Sequence, residues 1–211
     1  MLGGPQVAFS GGGGGGGSGG GISPGGQWAS GYWYGPQAGN TTRVVRGVMY
    51  FVPFPVLQTF PISGIAIGMF TGKPTSVGRL GIYVDTGHGK PGALLYDFGT
   101  VPTTGSTKAP SIAVSEILAP GQYWLVFVRQ GAHLGTGNTA PDIISPHSDN
   151  TTMWGIAGPP RLYIRTNIFV YGWVSNGSTF LTALPSQAPA VAPVINTGPT
   201  VKLVRILLKA A

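Results

Sequence analysis

Beyond residue 40 no stretch of the chain repeats apolar residues at helical spacing for more than a turn or two. It offers instead short runs of β-branched and aromatic residues, interrupted roughly every 8–12 residues by Gly, Pro, Asn or Asp. RVVRGVMYFVPF (Arg43–Phe54) is one such run and ends at prolines. ISGIAIGMF (Ile62–Phe70) alternates apolar residues with Gly or Ala, as a strand with one tightly packed face does. VGRLGIYVD (Val77–Asp85) leads into TGHGKPG, a turn by composition. ALLYDFGTV reads as a short strand, and SIAVSEIL (Ser111–Leu118) alternates apolar with polar residues. After a Pro-Gly turn, YWLVFVRQ (Tyr123–Gln130) is the most apolar run and is expected at the centre of a sheet. RLYIRTNIFVYGWV (Arg161–Val174), a hairpin signal at Asn176-Gly177 and TVKLVRILL (Thr200–Leu208) complete the pattern. Residues 131–160 read as a long loop, and residues 185–199 are rich in Pro and Ala. About nine or ten strands at this spacing predict an all-β antiparallel β-sandwich, with a jelly roll as its topology.

The first 40 residues differ in kind. They hold 17 glycines and no Asp, Glu, Lys, Arg or His, and ten of the eleven residues from 11 to 21 are glycine. Such a run has no side chains to bury, so it cannot offset the entropy of its own ordering. Its C-terminal flank, QWASGYWYGPQ, gathers Trp28, Tyr32, Trp33 and Tyr34, whose rings bury large areas when docked. The sequence thus divides into an extended Gly-rich arm (1–40), docked on the domain or on a neighbouring subunit, and a sandwich domain (41–211). Gly11, Gly17, Trp28, Tyr32, Trp33 and Tyr34 are the candidate assembly and anchoring residues.

Chemistry-bearing residues are few. Charged residues make up 8% of the chain, and cysteine is absent, which excludes disulfides, thiolate catalysis and Cys-ligated zinc. A glycosidase needs two facing carboxylates, and the available acids are Asp85, Asp97, Glu116, Asp142 and Asp149. Asp85 borders a turn, where its side chain bonds local backbone. Asp97 and Glu116 fall at the solvent-facing phase of strand patterns. All are expected to be structural, and no catalytic residue is expected. His88, His133 and His147 lie in Gly/Pro loops; His133, Asp142, His147 and Asp149 match no recognised metal spacing, so no metal or cofactor is expected. GTGNTA (Gly135–Ala140) has no βαβ unit around it, and no Gly-x-Ser-x-Gly sits between a strand pattern and a helix pattern as a nucleophile elbow does. Asn-x-Thr/Ser triplets begin at Asn40, Asn150 and Asn176 but are short enough to arise by chance. Sugar-binding sandwiches stack flat rings on the sugar beside amides and carboxylates. Trp154, with Asp149 and Asn150 nearby, fits that chemistry, and pinning the long loop to the core is the other reading of that tryptophan.

Net charge is +7, from twelve basic and five acidic residues. Arg43, Arg46, Arg79, Arg129, Arg161, Arg165 and Arg205 are scattered singly, unlike the clusters of a nucleic-acid binder, so no nucleic-acid partner is expected. A mild attraction to anionic polymers such as acidic bacterial polysaccharide stays open. No apolar run reaches the roughly 18 residues of a membrane span, and Met1-Leu2-Gly-Gly-Pro does not open like a secretory leader, so neither membrane insertion nor secretion is expected.

Three stretches carry a resemblance: YWYGPQAGNTT, then RLGIYVDTGHGKPGALLYDFGTV, then LAPGQYWLVFVRQGA. They resemble a recurrent β-sandwich module of tailed-bacteriophage virion proteins. In that module a Leu-Gly-Ile-Tyr strand leads to an Asp and a Gly/Pro turn, then a Pro-Gly-Ala-Leu strand, and later a Pro-Gly-x-Tyr-Trp-Leu strand. Here these are Leu80 to Tyr83, Asp85, Pro91 to Leu94, and Pro120 to Leu125. The resemblance spans residues 32–132, about half of the chain, and it is a packing and turn pattern that transfers no catalytic residues. It implies a non-enzymatic tail fibre, head spike or capsid-attached protein, assembled into the virion in the bacterial cytoplasm. The implied partners are capsid, portal or tail proteins, sister subunits (a trimer above all) and host surface polysaccharide. A capsid decoration or tail protein that stabilises the particle without receptor binding is the alternative. A monomeric carbohydrate-binding module and a polysaccharide depolymerase are readings from two further classes. At a symmetry axis only glycine tolerates close approach of three chains, but the run lacks the Gly-X-Y period of collagen.

Overall fold

The computed structural model describes residues 30–31, 33–35, 38–73, 76–104, 109–130, 142–146, 172–175, 182–194, 204 and 206–211. Every regular element among them is a β-strand. Strands β1 (Trp33–Tyr34), β13 (Ile206–Ala210), β4 (Phe60–Ile67) and β8 (Ser111–Leu118) form one antiparallel sheet in the order β1-β13-β4-β8. The larger sheet runs β12-β11-β3-β9-β6-β7, from β12 (Val191–Val194), β11 (Gly172–Ser175), β3 (Met49–Val56), β9 (Gly121–Gln130), β6 (Val77–Asp85) and β7 (Pro91–Pro102). A third small sheet joins β2 (Ala38–Arg43), β10 (Asp142–Pro146) and β5 (Met69–Thr71) in the order β2-β10-β5.

The first two sheets share one apolar core, so the fold is the β-sandwich the strand pattern predicts. Tyr34, Phe60, Ile62, Ile65, Ile67, Ile206 and Leu208 enter it from the small sheet. Val52, Phe54, Leu80, Ile82, Leu125 and Phe127 enter it from the large one. The period of two sends alternate residues to the opposite face. In β9 those are Trp124, Val126 and Val128, and they too are buried. A second apolar cluster therefore lies on the outer face of the large sheet, where Met49, Phe51, Tyr83 and Trp124 meet Leu184, Ala188 and Val191. Burial on both faces explains why the sequence of β9 is apolar throughout rather than alternating.

The Pro/Ala-rich segment thus works as a strap across the large sheet. Four backbone or side-chain bonds hold it. Leu184 N donates to Asp97 Oδ2 (2.9 Å) and Tyr83 Oη to Pro185 O (2.7 Å). Leu94 N donates to Ser186 O (2.9 Å) and Ala188 N to Gly92 O (2.8 Å), the pair of bonds that sets Ala93 opposite Gln187. Gly81 marks the closest approach: a Cβ there would strike Leu184 Cδ1 and the carbonyl oxygen of Tyr96. One obstacle is a side-chain end, but the other is backbone within the sheet. We expect Gly81→Ala to destabilise the protein by about 1–3 kcal/mol in urea unfolding. We also expect new proteolytic cuts between residues 182 and 194.

Several strand boundaries differ from the sequence reading. The run from Arg43 to Phe54 is broken at residues 44–48, with Gly47 at φ 75°, into β2 and β3. β3 continues through Pro53 and Pro55, which register against Trp124 and Gln122 of β9. Among the described residues its other neighbour, β11, pairs with Tyr50 and Phe51 and not with the prolines, so Pro53 and Pro55 sit where no ladder donor is required. β7 is twelve residues long rather than short, and it bends at Gly99 (φ 83°). The expected long loop over 131–160 contains β10. The Asn176-Gly177 hairpin lies outside the described residues.

Candidate functional site

β1 brings Trp33 and Tyr34 to the edge of the small sheet, where they pair with Lys209 and Leu208 of β13. The two side chains have opposite fates. Tyr34 points inward, is 0% exposed and packs edge-on against Phe60 at 5.7 Å. It serves the core of its own domain. Trp33 faces outward, is 37% exposed and lies over Gly64, whose added Cβ would sit 3.1 Å from its Cη2. Trp33, Lys209, Gly64 and Ala113 form one row across the sheet. Next to that row Pro61 registers with Ile117, which is 64% exposed. Gly31 N donates to Ala210 O at 3.0 Å and fixes where the preceding chain reaches this edge. The aromatic flank therefore docks, at Trp33 and Tyr34, on its own domain. Gly11, Gly17, Trp28 and Tyr32 lie outside the described residues, as do Trp154, Asp149 and Asn150.

Asp85, Asp97 and Glu116 are all engaged. Asp85, at the end of β6, accepts Gly87 N (2.7 Å) and Gly89 N (3.1 Å) through Oδ2 and Trp124 Nε1 (2.7 Å) through Oδ1. Gly87 and Gly89 stand at φ 86° and 69°, a conformation glycine adopts without strain. This is the local turn role the sequence predicts for Asp85, with a bond to Trp124 that sequence spacing does not reveal. His88, at the tip of the same turn, is exposed.

Asp97 is half-buried, contrary to its expected solvent-facing phase. Arg79 Nε and Nη2 donate to its two oxygens at 2.8–3.0 Å, and Leu184 N and Gly99 N add two further bonds. Burial alone would raise its pKa, but the bonds from Arg79, Leu184 and Gly99 outweigh that and hold it below the usual carboxylate range. Burial, then the Asp97 charge, push the Tyr83 hydroxyl well above its ordinary value, so it stays a neutral donor to Pro185. Glu116, also expected to face solvent, is half-buried and accepts a bond from Tyr96. Burial and that bond raise the Tyr96 pKa. The two corrections have different causes: Asp97 lies on the outer face of the large sheet, where the strap covers it through Leu184, whereas Glu116 falls in the inward row of edge strand β8 with Ile112 and Val114.

Among the described residues no group of three or more His, Asp or Glu stands where it could hold a metal ion. No helix among them is long and apolar enough to cross a membrane. Comparison of the chain with protein-family models, with curated proteins and with solved structures finds no match. The surface formed by Trp33, Pro61 and Ile117, at the point where the N-terminal arm joins the sandwich, is the candidate interaction site.

Proposed function

We propose that the chain is a non-enzymatic structural protein of a tailed-bacteriophage virion, an oligomeric fibre- or spike-type component. Its arm (1–40) anchors it to capsid, portal or tail proteins and to sister subunits, and its sandwich is displayed for attachment to host surface glycan. The sandwich is a jelly roll on this reading. The orders β1-β13-β4-β8 and β3-β9-β6-β7 are what two interlocked Greek keys of eight strands produce. The resemblance gains a physical sense from the same topology. Leu80 to Tyr83, Pro91 to Leu94 and Gly121 to Leu125 lie on adjacent strands β6, β7 and β9, and the Asp85–Trp124 bond ties two of them together.

The observation that carries the reading is an asymmetry between the sandwich faces. The chain covers the outer face of its large sheet with its own strap. On the small sheet Trp33 and Ile117 stay exposed beside the entry of a 29-residue Gly-rich segment. A displayed domain that meets its particle through the N-terminal side has this arrangement.

The test compares labelled full-length protein with a chain lacking residues 1–29, a cut that spares β1. We expect full-length protein to bind host cells until surface polysaccharide is stripped, and to show a multimeric native mass that the truncated chain loses. Binding only to particles would favour the decoration alternative. A full-length monomer that binds neither cells nor particles would refute both.

A further inference from the structure

Arg129 lies next to the end of β9, in the inward phase, opposite Gly78 of β6. It is 3% exposed, although its side chain is a cation. Its Nη1 reaches Val44 O only at 3.5 Å, and its buried Nε has no hydrogen-bond acceptor. Beside it runs the segment 44–47: Arg46 bridges Arg129 in parallel, and Gly47 N donates to Arg129 O at 2.9 Å. Burial, then the charge of Arg46, disfavour the Arg129 cation, and Tyr50 offsets this in part. Tyr50 supplies no anion, because burial raises its pKa and its oxygen already accepts Val45 N at 2.8 Å. Asp85, Asp97 and Glu116 are engaged with Trp124, Arg79 and Tyr96.

The contrast with Arg79 is informative, because both arginines come from the same sheet. Arg79 presents its Nε–Nη2 edge to a carboxylate, which takes both donors in a fork. Arg129 is more deeply buried, stands next to a second guanidinium and keeps the Nε of that edge unsatisfied. A buried polar donor without a partner is rare and costly, and a bound ion is one of its ordinary explanations. The edge fits a planar carboxylate, and half-buried Arg46 stands beside it.

We propose that Arg129, with Arg46 beside it, is a seat for one carboxylate group brought by a ligand and held side-on, as Asp97 is held by Arg79. The ligand is a small carboxylic acid or a sugar acid, since the one unsatisfied Nε edge matches a single carboxylate group. This site is independent of where the protein acts.

Full-length protein is titrated with sodium acetate and with sodium glucuronate, each against sodium chloride at equal ionic strength. The readouts are the NMR signal of the Arg129 Nε–H group, assigned by its loss in Arg129→Met, and the Tm. A saturable shift of that signal is expected, with a Tm rise of about 3 °C at ten times the Kd. Arg129→Met removes the response, and Arg46→Gln, at a half-buried position, weakens it roughly tenfold. Tighter binding of glucuronate than of acetate identifies a sugar acid, and equal binding identifies any small carboxylate; both support the seat. A wild-type signal that neither carboxylate moves overturns the proposal. A response that appears only in Asp142→Asn also overturns it, because the chain's own aspartate then fills the seat.

Discussion

Trp124→Ala is expected to destabilise the protein by about 3–5 kcal/mol, the usual cost of emptying a large buried aromatic site. Trp124 is fully buried in the outer apolar cluster, with Phe51 and Tyr83 packed edge-on at 5.4 Å in the same cluster. Its loss opens a cavity beneath the strap and removes the Nε1 bond to Asp85. Trp124→Phe keeps most of the volume and loses the bond, so it is expected to cost only about 1–2 kcal/mol. Urea unfolding gives both values. The ratio matters more than either number. If Phe costs as much as Ala, the Asp85 bond rather than packing governs this strand junction. If both variants cost under about 1 kcal/mol, the outer cluster is not part of the cooperative fold.

This junction also shows what the sequence makes legible and what it hides. Strands β6 and β8 begin and end where their residue patterns place them, because alternation and turn residues are local signals. The central place of β9 follows from its unbroken apolar run. The partner that makes the run necessary does not: Leu184 is 60 positions away from Trp124, in a segment whose Pro and Ala content suggests only a linker. The burial of Tyr34 and the exposure of Trp33 are likewise invisible in a cluster of aromatics. They are decided by which face of β13 the chain meets. Glu116 and Asp97 look solvent-facing because alternation reports phase, while edge position and long-range bonds decide burial. Arg129 gives no sign in the sequence, where it is one scattered arginine among seven. The surface of Trp33 and Ile117 needs the sheet registers to come together at all.

Asp97→Ala is expected to cost about 3 kcal/mol, because it leaves the half-buried Arg79 cation unpaired and the Leu184 amide without its acceptor. The charge of Asp97 should also make the strap sensitive to acid. Its pKa in the folded protein is lowered, against about 3.9 in an unfolded chain. Its contribution is therefore complete above about pH 5 and is lost as pH falls through about 4 and then through the lower folded value. Acid should release the strap before the inter-sheet core, since the Arg79–Asp97 pair holds Leu184 and the core between the sheets contains neither residue. The check is the stability difference between wild type and Asp97→Asn measured across pH. It should be flat above about pH 5 and shrink steadily below about pH 4. Protection of the Leu184 amide, measured against its intrinsic exchange rate at each pH, should fall over the same range while that of β9 stays high. A stability difference that ignores pH would mean that the neutral hydrogen bonds, not the charge, fasten the strap. Loss of β9 protection in step with Leu184 would mean that strap and sandwich unfold as one unit.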